Sequence, residues 1–166
     1  MIRIQPAKFI EHVASYVGDR SADEVIQELN ERHQNYRLVE QDLSQRRVRL
    51  MGKLPEIEKA VAAVAMLLER REAGEDAKVD FQLSEQLYAR ARVRQPESVA
   101  LWLGADVMLE FPLQEAAALL AKNLSNAKAQ LASVLKDLEL IKDFITTTEV
   151  SIARVYNFDL ARRKRP

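Results

Sequence analysis

Leu29, Tyr36, Leu43, Leu50, Ile57 and Val64 recur at every seventh position, and Ile26, His33, Glu40, Arg47, Leu54, Val61 and Leu68 form a second row in the same register. Two rows in heptad phase commit a segment to a long helix that buries a narrow stripe against another helix. The second row is apolar at both ends and polar in its middle. A matching pair of rows follows later: Leu113, Leu120, Ala127, Val134, Ile141, Thr148 and Val155, beside Ala117, Leu124, Leu131, Leu138, Ile145 and Ile152. No Gly or Pro interrupts residues 113–158, and at 1.5 Å per residue each helix is expected to reach roughly 70 Å. Ser21, three residues before Glu24, makes a capping box that opens the first long helix, read over 21–73 and closed by Gly74. Pro55 should kink this helix rather than break it, because Leu50, Leu54, Ile57 and Val61 keep their phase across it. Pro112 suits the first turn of the second long helix, read over 112–158. Ahead of both, Phe9, Ile10, Val13 and Val17 fall at helical spacing and predict a short amphipathic helix over 6–18.

Between the helical rows the period changes. Val79, Phe81, Leu83, Leu87, Ala89, Ala91 and Val93 alternate with polar neighbours, which predicts two half-buried strands turning near Ser84–Gln86. The stretch VALWLGADVMLEF (99–111) predicts a second hairpin over about 99–103 and 107–111, with Gly104 to Asp106 as its loop. The reversal at this β segment sets the helices antiparallel, with Leu68 against Leu113, Leu54 against Ala127 and His33 against Thr148. Since the polar seam positions lie far from the hairpins, packing is expected to be tight beside them and looser toward the other end. The fold class is therefore mainly α: a long antiparallel two-helix coiled coil with two central β-hairpins.

Two small hairpins cannot bury their own apolar faces, and their unpaired edges are templates for further strands. Leu101, Trp102, Leu103, Val107, Met108 and Phe111 are too much apolar surface for a lone chain to expose. The hairpins are thus read as an assembly device, in preference to a private cap folded over the helix ends. Charge says little about partners, since Lys plus Arg and Asp plus Glu number 25 each, and neither a nucleic acid nor a membrane is expected. A basic cluster at Arg46, Arg47, Arg49 and Lys53 is short and reads as a solvated face, so RNA binding is set aside. Cysteine is absent, no apolar run approaches the length of a bilayer span, and the N-terminal residues do not read as a secretory signal. A cytoplasmic protein is the expectation. No phosphate loop and no paired histidines occur, so neither an enzyme, a cofactor nor a metal site is expected.

The runs LWLGADVMLEF (101–111), ALLAKNL (118–124), TTTEV (146–150) and ARVYNFDLARR (153–163), with LPEI (54–57), resemble the alpha-class prefoldin subunits of eukaryotes. The resemblance covers residues from about 6 to 163; Asp106, the Phe111-Pro112 step and Phe158 depart from the family's pattern. It implies a single alpha-type unit in a heterohexamer with one further alpha-class and four beta-class subunits. The hairpins of all six would close into an oligomeric β-barrel, here through Phe81, Leu83, Leu101, Trp102, Leu103, Val107, Met108, Leu109 and Phe111. The resemblance further implies that the coiled-coil tips hold unfolded actin or tubulin, without ATP, for delivery to the cytosolic chaperonin. A nuclear pool would be compatible with such a role.

Client capture needs apolar groups outside the regular seams, and Phe9, Ile10, Tyr156 and Phe158 are the candidates. Each contact would be weak, with several arms supplying avidity. The basic run over 159–166, with Arg162, Arg163, Lys164 and Arg165, could dock on an acidic chaperonin surface. A solvated helix end that complements the helix dipole accounts for it more simply. The alternative function is a coiled-coil adaptor that assembles through the same hairpins but binds one folded partner.

Overall fold

The computed structural model describes residues 5–163. In chain order the elements are α1 (Val13–Val17), α2 (Ala22–Glu72), β1 (Ala77–Ser84), β2 (Leu87–Val93), β3 (Ser98–Gly104), β4 (Val107–Pro112) and α3 (Leu113–Arg163). Contacts divide the chain into one unit of Met1–Leu50 with Gln130–Pro166 and another of Met51–Ala129.

Both ends of α2 are fixed by local chemistry. At the start, Ser21 Oγ accepts from the Glu24 amide at 3.2 Å, and the Ser21 amide donates to the Glu24 carboxylate at 3.3 Å. That reciprocal pair satisfies two donors that a helix start leaves free. Ser21→Ala should cost about 1 kcal/mol, read as a lower melting temperature by circular dichroism. At the other end Gly74 takes φ +67°, its amide donates to the Arg71 carbonyl at 3.0 Å, and the Glu75 amide donates to that of Arg70 at 2.9 Å. This is a Schellman closure, which needs a residue at ease in the left-handed region. The helix passes through Pro55 as one element, with Leu54 and Ile57 half-buried on either side.

In the unit that holds the chain termini, α2 and α3 run antiparallel. Tyr36 packs on Phe144 with ring centroids 5.7 Å apart, and His33 Nε2 meets Glu149 Oε1 at 2.9 Å. Leu43, Leu138, Ile141 and Ile145 complete the cluster around Tyr36. His33 thus serves as a cross-helix polar pairing, the register role that a polar seam position suggests. A second cluster of Ile10, Val17, Val25, Leu29 and Val155 lies between α1, the segment before it, and the two helices.

Two expectations change here. The helix expected over 6–18 covers only Val13–Val17. Residues 7–10 instead run without helical structure, which lets Ala7 pack on the Tyr36 cluster while Ile10 enters the other. Packing beside the hairpins is tight as expected, with Val64, Leu113 and Ala116 buried, but it is not loose in this unit either: Tyr36, Leu43, Ile141, Thr148, Ser151 and Val155 are all buried, and the half-buried seam positions Leu50, Leu54 and Ile57 fall mid-helix. The N-terminal segment supplies the third layer that a bare helix pair lacks.

In the other unit the hairpins form separate antiparallel two-stranded sheets, β1 with β2 and β3 with β4. They share one design. Each register runs evenly to a break, between Gln82 and Ser84 or between Trp102 and Gly104, just before a two-residue turn. In the second turn Ala105 and Asp106 both have positive φ, at 49° and 58°, after Gly104 at 94°. That mirror-image turn matches the right-handed twist of a hairpin. The loop is one residue shorter than expected, because Gly104 pairs with Val107.

Candidate functional site: two hairpins and a covered groove

The roots of the hairpins are anchored on the chain's own helices. Val99, Leu101 and Phe111 pack on a cluster of Val64, Leu113, Ala116 and Leu120, and Ala77 is buried. The Leu113 amide, first in α3, donates to the Glu97 carbonyl at 3.1 Å and fixes the β3 side of the hairpin to the helix start. To this extent the hairpins do cap their helices.

Toward their turns nothing among the described residues covers them. Phe81, Leu83, Leu103, Val107, Met108 and Leu109 are exposed, and Trp102 retains 60% of its surface. Of the residues expected in assembly, only Leu101 and Phe111 are half-buried at the root. The faces of the two sheets differ. In the first, Val79 and Phe81 face Ala91 and Ala89, while the opposite face pairs Asp80 with Arg90 and Gln82 with Tyr88. One side is apolar and the other polar, as in a sheet covered once. In the second, Leu101 pairs with Leu109 on one face and Trp102 with Met108 on the other. A sheet apolar on both faces needs cover on both.

The second surface lies in the unit that holds the termini. Tyr36 of α2 donates its hydroxyl to the Gln5 carbonyl at 2.8 Å, and Arg154 of α3 donates to the Glu11 carbonyl at 3.0 Å. Between these clamps Ile10 is only 5% exposed. Ile10 was expected to be available to a client; the structure places it in the core, because the non-helical segment can turn it into the groove between the helices. Phe158 is half-buried against the same cluster. Phe9 and Tyr156 are exposed, at 51% and 58%, with the Arg154 guanidinium 4.9 Å from the Phe9 ring centroid. Burial raises the Tyr36 phenol above its ordinary pKa, against a smaller lowering by Arg32, so the hydroxyl stays a donor.

Arg162 and Arg163 close α3, and Arg163 is engaged with Asp159 at 2.7 Å and Asp23 at 3.4 Å. Lys164 and Arg165 lie outside the described residues. Among the described residues no group of three or more His, Asp or Glu could hold a metal ion, and no helix is long and apolar enough to cross a membrane.

Heptad reasoning missed Val25, Ala116 and Ser151, all at 1% exposure or less though outside both seams. Each lies where a third element covers the helices, the N-terminal segment for Val25 and Ser151 and the hairpin root for Ala116. Small residues beside a seam were the available signal for Ala116 and Ser151, and an apolar residue next to the seam for Val25.

The sequence of this chain is similar to that of known proteins. The family described as Prefoldin subunit matches residues 36–158. Prefoldin subunit 3 of Mus musculus is 41% identical over 165 residues, 98% of this chain and 84% of that protein. Prefoldin subunit 3 of Homo sapiens gives the same figures, and that of Drosophila melanogaster is 38% identical over 97% of this chain and 83% of its own length. The match takes in both long helices, both hairpins and the covered groove alike, and the chain belongs to the prefoldin family.

Proposed function

We propose that this chain is an alpha-class subunit of a heterohexameric, ATP-independent co-chaperone acting in the cytoplasm. In this reading its hairpins join those of one further alpha-class and four beta-class subunits in a β-barrel, which removes the open strand edges. The observation that carries the reading is the exposed apolar surface of the hairpins, above all Trp102 and Met108 on the uncovered face of the second. The terminal end of the helix pair holds unfolded actin or tubulin chains and passes them to the cytosolic chaperonin. Phe9 and Tyr156 are the proposed exposed contacts, with Phe158 half-buried beside them, while Ile10 is buried and makes no contact as long as its segment stays seated. Arg162, with the basic residues after it, is a proposed chaperonin contact that Arg163 joins only by leaving its acidic partners.

The test is to combine the chain with the five partner subunits and measure mass by native mass spectrometry, then aggregation of diluted, unfolded actin by light scattering. A hexamer that suppresses aggregation without nucleotide supports the reading. A complex that assembles but leaves aggregation unchanged, while binding a folded protein, would make the chain an adaptor.

A further inference from the structure

Residues 5–12 are held at two backbone points and by one deeply buried apolar side chain. One clamp comes from α2 and one from α3, and both grip backbone carbonyls, those of Gln5 and Glu11. A single apolar side chain, Ile10, goes deep, among Val25, Leu29 and Val155. Backbone acceptors held at two points, with an apolar insertion between them, are features any unfolded chain can offer. The segment also fits its seat incompletely. Among the described residues a cavity of about 450 Å³ remains between it and the helices, walled in part by Tyr16, Leu29 and Tyr36. Thr148 and Ser151 also line this cavity, but each hydroxyl donates to a carbonyl of its own helix, Phe144 and Thr147, at 2.7 Å. Lys8 of the segment and Arg32, which is paired with Glu28, add charge at the wall, and the rest of it makes few polar demands on an occupant.

We propose that the groove between α2 and α3 is a binding site for an extended apolar polypeptide segment, and that residues 5–12 are a built-in competitor which an unfolded client displaces. The inference rests on the co-chaperone reading and deepens it by naming the surface and its ligand chemistry. A site occupied most of the time by its own chain binds an outside ligand with an affinity reduced by the free fraction. Loosening the segment should therefore tighten capture.

The assembled complex is titrated with fluorescently labelled, chemically unfolded actin, comparing wild type with Ile10→Asp and the milder Ile10→Ala. Apparent Kd is expected to fall about 10-fold for Ile10→Asp and about 3-fold for Ile10→Ala, the latter standing in should the charged variant fail to assemble. Excess peptide QPAKFIEH should reverse the gain, and a copy with Asp in place of its Ile should not. In the unaltered complex, saturating actin should speed tryptic cleavage after Lys8. Equal capture by wild type and both variants, or cleavage after Lys8 indifferent to actin, overturns the competitor and leaves the co-chaperone reading standing. Capture by none of the complexes removes that reading and the inference together.

Discussion

Trp102→Asp leaves the helical chain intact and abolishes its assembly. In the free chain the indole keeps 60% of its surface and belongs to none of the buried clusters, so its loss should change stability by no more than about 0.5 kcal/mol. In a closed barrel the same position would be covered. Removing the indole forfeits about 2–3 kcal/mol of apolar burial, and an unpartnered carboxylate adds a desolvation cost of at least about 1–3 kcal/mol. Together these weaken association on the order of 1,000-fold. Circular dichroism of the chain should be unchanged while native mass spectrometry loses the proposed hexamer. A variant that assembles as tightly as the unaltered chain would mean that Trp102 faces water in the complex, and that this face of the second hairpin serves something else.

Leu113→Ala has the opposite signature, a damaged fold before any assembly. Leu113 is fully buried, opens α3, and packs where Val64, Ala116 and the hairpin root converge. Truncating a buried leucine costs about 2–5 kcal/mol. The upper part of that range is expected, since the Leu113 amide also holds the Glu97 carbonyl and helix and hairpin would loosen together. Urea unfolding followed by circular dichroism should show a midpoint shift, and amides of β3 should exchange faster. Leu140→Ala, at a position 52% exposed on α3, is the control and should stay within about 0.5 kcal/mol. Equal midpoints for the two variants would mean that the hairpin root contributes nothing to holding α3.

What could be read in advance followed from periodicity. Leu29, Tyr36, Leu43, Ile141 and Val155 are buried as their heptad places require, and the strands begin and end within about two residues of where the alternation placed them. Periodicity is strong because one helix pressed on another buries the same face at every turn. It says nothing of a third layer. Residues 6–12 carry apolar side chains at spacing that also suits a helix, yet they stay non-helical beside the groove that takes in Ile10. Periodicity alone therefore leaves Ile10 outside the core, where the structure buries it. The error over packing has the same origin: His33, Glu40 and Arg47 weaken the seam between two helices, while the segment lying over it restores the loss near Tyr36 and Leu29. The faces of the hairpins were legible as apolar, but which of them the helices cover was not, because Leu101 and Trp102 look alike until the register is known.

The two-sided apolar sheet also bears on the life of the chain before it finds its companions. A newly made copy carries Trp102 and Met108 on one side and Leu109 on the other, beside strand edges that any extended peptide could join. Until it is incorporated, such a copy offers other molecules the same kind of surface that a nascent, unfinished protein offers. Supply in excess of its companions would then be a burden on the cell rather than a reserve. Matched synthesis, or prompt destruction of orphaned copies, becomes a requirement set by the hairpin itself.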